Sequence, residues 1–284
     1  MKQFCDLHTH SVYSDGTVSP AEIIRLAKNA GLAAVALCDH NTIGGLAEFV
    51  TAAKNTGVEA VPGIEFSTDY LDGELHILGL FIPERAYDAV SEKLQEVLAR
   101  KEQSNIDLIK QLQNIGIELD YDAIKASMPG GMVNRAVIAA EMVRKGYVSS
   151  IKEAFSGLLS PKRGYYHPPK RIDAFEAIRF IKSIGAVSVL AHPFLNLNVD
   201  ELRIFLQTAV QFGLDGMETH YSTFTAEETA AACRIAEEFG LLQSGGSDFH
   251  GMNKPDICIG TGKGTLRVPM ELLEGIRGAA QKRL

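Results

Sequence analysis

Residues 4–16 read FCDLHTHSVYSDG, a short apolar run that ends in two histidines, His8 and His10, and passes into a Ser14-Asp15-Gly16 turn. Side chains alternate across a strand, so positions i and i+2 share a face, and a strand ending here aims both imidazoles at one side. One ion can take both, and the turn can fold the Asp15 carboxylate back toward the same place.

The association of acids with histidines recurs along the chain. Asp39-His40 stands in CDH (38–40), Glu65 in GIE (63–65), His76 in ELHILG (74–79), His192 in LAHP (190–193), and Asp248 with His250 in GGSDFHG (245–251). Imidazole and carboxylate are the donors that divalent Zn, Mn and Fe accept, and neither gains much from burial unless something binds it. An isolated H-x-H carries little weight, and His76 alone in a strand would ordinarily be a half-exposed barrel histidine. In this ordered company, His8, His10, Asp15, His40, Glu65, His76, His192, Asp248 and His250 are candidate metal ligands. Asp6 and Asp39, close to ligand histidines, are assigned to orienting an imidazole rather than to holding an ion. His167 and His220 match no cluster and are read as solvent-facing or substrate-contacting.

Around this pattern, short apolar runs alternate with helical periodicity. FCDLHT, AAVALC, EAVPGIEF, ELHILGLF, AVSVLAH, GLDGMETH and LLQSGGSD read as strands, and 20–30, 42–56, 172–184, 199–212 and 225–239 as amphipathic helices. Ser19-Pro20-Ala21-Glu22 and Thr225-Ala226-Glu227-Glu228 are expected capping boxes, and Gly31, Gly185, Gly213 and Gly240 close helices. The acids and histidines fall at the carboxyl ends of strands, where barrel enzymes gather their active sites, so the expected architecture is an α/β fold built as a closed or nearly closed (β/α) barrel.

Between Glu84 and Arg171 the strand pattern stops and helix follows helix, with a turn at Pro129-Gly130-Gly131. Residues 84–171 are therefore expected to form a helical insertion in a barrel domain made of 1–83 and 172–284. The insertion holds 14 Lys/Arg against 11 Asp/Glu, net +3, whereas the whole chain carries −7. Solvated helix faces account for most such imbalances; Arg135 and the Lys162-Arg163 pair are still candidates for gripping a phosphate.

With 284 residues, 46% hydrophobic and 22% charged, the chain can bury a large core. No apolar run approaches the ~20 residues of a membrane span, and MKQFCDLHTH leads straight into a ligand-bearing strand rather than a signal peptide, so a cytoplasmic protein without a membrane partner is expected. Cys5, Cys38, Cys233 and Cys258 form no C-x-x-C pair, which suits a reducing compartment and argues against a zinc finger. The negative charge and the lack of a Lys/Arg stripe with interleaved aromatics exclude long duplex nucleic acid as the expected partner.

The ordered set DLHTHSxxSDG, CDH, GIEFS, H-x-L-G, AHP and GGSDFHG resembles the polymerase and histidinol phosphatase (PHP) superfamily of metal-dependent phosphoesterases, and the resemblance covers residues 4 to about 262. Members with an all-helical insertion after the H-x-L-G strand are the most similar; they include nucleoside 3′,5′-bisphosphate phosphatases and exonucleases of short oligoribonucleotides. The resemblance implies a distorted seven-stranded barrel holding two or three Mn, Fe or Zn ions. His8, His10, Glu65 and Asp248 would hold one, Glu65 would bridge to a second held by His76 and His192, and Asp15, His40 and His250 would hold a third. The insertion would cap the substrate, with Arg135 standing where the family has the arginine of a G-R-P-H stretch. Here Asn134, Ala136 and Val137 replace its other three residues, so His167 in GYYHPPK or His220 in ETHYS would supply the missing contact, with Asn134 and Tyr166 as further candidate substrate residues.

The chemistry itself asks for no triad. Asp15, Glu65 and Asp248 bring −3 against +6 from three divalent ions, so a loaded site attracts anions, and metal-activated hydroxide can attack phosphorus. No nucleophile elbow or P-loop is present. Asp248, Glu65 and His192 are thus expected to serve catalysis as ligands. The expected substrate is a small phosphorylated nucleotide or short oligonucleotide. A histidinol-phosphate phosphatase using the same site is the alternative, and a non-enzymatic module is disfavoured by the intact ligand set.

Overall fold

The structure is a computed structural model that describes residues 3–128 and 133–283; the expected Pro129-Gly130-Gly131 turn lies outside them. In chain order the elements are β1 (Phe4–Asp6), α1 (Pro20–Asn29), β2 (Ala34–Leu37), α2 (Leu46–Ala53), β3 (Glu59–Tyr70), β4 (Gly73–Leu80), α3 (Tyr87–Gln113), α4 (Tyr121–Ser127), α5 (Arg135–Arg144), α6 (Ile151–Ser156), β5 (Ile172–Asp173), α7 (Ala174–Ser183), β6 (Val187–Leu190), α8 (Val199–Phe212), β7 (Gly216–Tyr221), α9 (Ala226–Glu238), β8 (Leu242–Gly246), β9 (Val268–Pro269) and α10 (Met270–Gln281). They fall into two compact units, Met1–Ser91 with Ile172–Leu284, and Glu92–Arg171. No described helix is long and apolar enough to cross a membrane.

The first unit is a mixed α/β fold around one sheet of order β8-β7-β6-β4-β3-β2-β1-β9, with β5 beside β3. Beyond β1 and β8 the chain segments pair again. Leu7 N donates to Gly245 O (3.1 Å), Asp248 N to His8 O (2.8 Å) and His10 N to Phe249 O (2.9 Å), which curls the sheet into a nearly closed barrel. β2 shows why AAVALC is apolar throughout. Ala34 and Ala36 pack inside with Val61, Leu78 and Val189, while Val35 and Leu37 pack outward against Ile23, Leu46 and Phe49. Small residues inside let opposite walls approach.

Among the described residues, seven strands have three residues or more, and β5 and β9 have two each. β4 departs from simple βα repetition, since it runs antiparallel to both β3 and β6. Tyr70 pairs with Gly73 around Leu71 and Asp72, so β3 and β4 form a hairpin with no helix between. Period-two alternation is the same in either direction, which is why the sequence does not reveal the reversal. It places His76, near the start of β4, at the end of the barrel where the parallel strands finish.

Two local expectations are corrected. Ile172 and Asp173 do not open a helix; they pair with Thr68 and Asp69, and Asp173 Oδ1 then accepts from Phe175 N and Glu176 N to cap α7. At Ser19 only half a capping box forms: its hydroxyl accepts from Glu22 N (3.2 Å), but the Glu22 carboxylate turns to Arg25. Thr225 and Glu228 make both bonds.

The second unit contains no strand among its described residues. Leu108, Ile109 and Leu112 of α3 pack with Ile138, Ala139 and Met142 of α5, Ala154 of α6 and Tyr166. Asn134 Oδ1 caps α5 by accepting from Val137 N (3.0 Å).

Candidate metal centre

His8 and His10 follow β1, His40 follows β2, His192 follows β6, and Asp248 and His250 follow β8. Glu65 is not at a strand end; it lies midway along the twelve-residue β3, bridged to His40, because β3 runs on into its hairpin. Its carboxylate is the hub. Oε2 lies 3.1 Å from His8 Nε2, 3.2 Å from His10 Nε2 and 3.2 Å from His40 Nδ1. Oε1 lies 2.8 Å from His76 Nδ1 and 3.1 Å from His192 Nε2. Asp248 Oδ1 stands 3.1 Å from His10 Nε2 and 3.4 Å from His250 Nδ1. Asp15 Oδ1 stands 3.2 Å from His250 Nε2, with Oδ2 3.8 Å from His40 Nε2. All nine candidates therefore meet in one cluster.

Among the described residues, three groups of donor atoms are tight enough to hold an ion: His10, Asp15, His40 and His250; His8, His10 and Glu65; and His40, Glu65 and His76. The last pairs His76 with His40, where the family resemblance implies His192. The fit to a cation rests on orphaned atoms. His8 Nε2, both ring nitrogens of His10, His40 Nδ1 and Glu65 Oε2 are buried with no hydrogen-bond partner. Several approach one another within 3.2 Å, but not along hydrogen-bond directions. Buried polar atoms left in this way are costly, and a shared cation satisfies them.

The electrostatics agree. Burial opposes the charged forms, yet the histidines beside Glu65 and Asp248 hold those carboxylates well below their usual range. Conversely, Glu65, Glu218 and Asp248 raise His8 well above the ordinary value despite its burial. His10 is raised to about 9 and His76 to about 10, while burial and neighbouring histidines push His40 down to about 3. A histidine whose folded pKa is raised stabilises the fold fully below its unfolded value, and that stability is lost as pH rises through the folded value. Chelator-treated protein should therefore lose stability between about pH 7 and 9, where His10 and His76 hold protons in the folded state that the unfolded chain has released. Equal urea midpoints at those two pH values would refute this.

Asp6 and Asp39 are buried beside the cluster but touch no imidazole, contrary to expectation. Asp6 accepts from Ser247 N (2.8 Å), Gly260 N (2.7 Å) and His8 N (3.3 Å), and Asp39 from Ser11 N (2.7 Å) and the hydroxyls of Ser11 and Ser14 (both 2.6 Å). They brace the loops that carry ligands, so backbone donors take the place expected of rings. Besides Glu74, whose Oε1 lies 3.2 Å from His76 Nε2, the carboxylate that does meet a ring is Glu218, fully buried, with Oε1 3.0 Å from His8 Nδ1. Its signal was an acid inside the apolar run GMETHY, since a buried acid needs partners. Tyr221 and Lys254, also missed, both donate to Asp248 Oδ2 (2.7 and 2.5 Å).

The candidate substrate residues divide between the two units. His220 is half-buried with Nδ1 2.8 Å from Thr219 Oγ1, and it makes no ring contact with the cluster. In the helical unit, the Arg135 guanidinium sits 4.2 Å from the Tyr166 ring centre and 5.2 Å from that of Phe155, while Lys162, Arg163 and His167 are exposed.

The chain is similar to known proteins. Residues 6–128 match the PHP domain family. The chain is 35% identical to a 5′-3′ exoribonuclease of Haemophilus influenzae over 86% of this chain and 89% of that one. It is 29% identical to a 3′,5′-nucleoside bisphosphate phosphatase of Chromobacterium violaceum over 86% of each. A solved structure from Bifidobacterium adolescentis, proposed to be a metal-dependent phosphoesterase, superposes with a TM-score of 0.84 at 26% identity, covering 98% of this chain and 96% of that one.

Proposed function

The chain belongs to the PHP domain family and is a metal-dependent phosphoesterase, and from that premise we propose that it removes the 3′-phosphate of nucleoside 3′,5′-bisphosphates, with the 5′ ends of short oligoribonucleotides as a related substrate. The observation that carries the reading is the hub at Glu65, where one carboxylate meets five imidazoles and where His8 Nε2, both His10 ring nitrogens, His40 Nδ1 and Glu65 Oε2 have no hydrogen-bond partner. The names of the H. influenzae and C. violaceum relatives support the nucleotide part.

His8, His10, Glu65 and Asp248 would hold one ion, Glu65 with His76 and His192 a second, and Asp15, His40 and His250 a third. Bound there, Mn, Fe or Zn would supply a nucleophile at neutral pH and balance the charge of the phosphoryl group. The chain's own part is to hold nine ligand residues on the barrel strands and the turns that follow them, so that little reorganisation accompanies reaction. Substrate capping falls to the helical unit. Arg135, stacked on Tyr166 and set at the start of α5 by the Asn134 cap, and the exposed Lys162, Arg163 and His167 offer phosphate and base contacts; His220 is the candidate in the barrel unit.

The test is phosphate release by manganese-loaded protein from adenosine 3′,5′-bisphosphate and from histidinol phosphate, beside an Asp248→Ala control. Turnover of the bisphosphate that vanishes in the control is expected. Preference for histidinol phosphate would move the protein to an amino-alcohol substrate and remove the role of Arg135.

A further inference from the structure

Of the strands around the cluster, β7 contributes none of the nine ligands, yet it lies between β6 and β8, which lead into His192 and Asp248. Its register is irregular. Glu218 pairs with Ser244, His220 with Gly245 and Tyr221 with Gly246, so Thr219 is an extra residue without an opposite number. In a regular strand, positions i and i+3 face opposite sides; one inserted residue puts Glu218 and Tyr221 on the same side. Glycine opposite the bulge permits this, since a Cβ on Gly245 would meet His220 O at 2.5 Å.

Both side chains then grip ligands. Glu218 Oε1 faces His8 Nδ1 at 3.0 Å, and Oε2 accepts from the backbone N of His192 at 2.6 Å. The Tyr221 hydroxyl donates to Asp248 Oδ2 at 2.7 Å, and its ring lies 5.3 Å from that of His192. Two of these ligands also carry backbone strain: His192 and Asp248 have φ of 26° and 55°, a region costly for residues other than glycine.

We propose that β7 is the positioning strand of the metal centre, with Glu218 and Tyr221 as positioning residues made possible by the bulge at Thr219. Glu218 takes the Nδ1 proton of His8 in a hydrogen bond, which fixes the tautomer that presents Nε2 to Glu65, and it pins the strained turn at His192. Tyr221 occupies Asp248 Oδ2 together with Lys254, leaving Oδ1 to the cluster. The proposal rests on the reading of the cluster as a metal centre.

Manganese titration of chelator-treated protein tests it, with Glu218→Gln, Tyr221→Phe, Thr219→Ala and Asp248→Ala beside wild type. In Glu218→Gln the side-chain amide has one acceptor oxygen for two donors, so one of the two contacts fails. About 10- to 100-fold weaker manganese binding is expected for Glu218→Gln, and about tenfold for Tyr221→Phe, where Lys254 remains. Unfolding midpoints of the metal-free forms should stay near wild type, and excess manganese should restore kcat with KM unchanged. Thr219→Ala should bind as wild type does. Wild-type affinity in both Glu218→Gln and Tyr221→Phe, with Asp248→Ala impaired, overturns the role of β7 and leaves the metal centre standing. Absence of manganese binding by the wild type overturns both. Should Glu218→Gln fail to fold, Tyr221→Phe decides alone.

Discussion

Glu65→Gln is expected to reduce phosphate release below about a thousandth of wild type, because bound ions supply several kcal/mol of transition-state stabilisation and each 1.4 kcal/mol is tenfold in rate. The residue contributes to two of the three donor groups and faces His8, His10, His40, His76 and His192. Glutamine keeps the volume but brings an amide N–H₂ against ring nitrogens and removes the negative charge. Metal per chain should fall with activity. The fold should survive, since histidines that lose a carboxylate neighbour can release their protons instead of remaining charged. Circular dichroism with elemental analysis separates these effects. A folded variant retaining full metal and full activity would refute the hub assignment.

The clustered residues were legible as candidates because their chemistry is local: an imidazole or carboxylate at the end of an apolar run marks itself. The structure brings all nine candidates into one cluster around the barrel mouth. What was not legible depends on register. The reversal of β4 leaves the alternation of ELHILGLF unchanged. Glu218 and Tyr221 are three apart, which in a regular strand separates them; the bulge that unites them leaves no mark in GMETHY. The error over Asp6 and Asp39 has a related cause. Their partners are backbone amides of Ser247, Gly260 and Ser11, and sequence spacing says nothing about which amide a fold delivers.

Gly246→Ala is expected to be the most damaging single methyl in the barrel unit. A Cβ there would lie 2.4 Å from His8 Cβ and 2.5 Å from His8 N, and backbone cannot step aside as a flexible side chain can. The flanking bonds from Leu7 N to Gly245 O and from Asp248 N to His8 O close the barrel, so relief of the clash must open that seam. Overpacking of this kind costs about 3 kcal/mol, and the unfolding midpoint should drop by several degrees. Gly278→Ala is the matched control. It lies in α10 with nothing within 4 Å of the added methyl, so it should stabilise by about 0.5–1 kcal/mol through helix propensity. Because the seam carries His8 on one side and Asp248 on the other, surviving Gly246→Ala protein should also bind manganese more weakly, whereas Gly278→Ala should not. Wild-type stability and manganese affinity in Gly246→Ala would mean that barrel closure and ligand placement are separable. Their joint loss would tie the metal centre to the contact that makes the sheet a barrel.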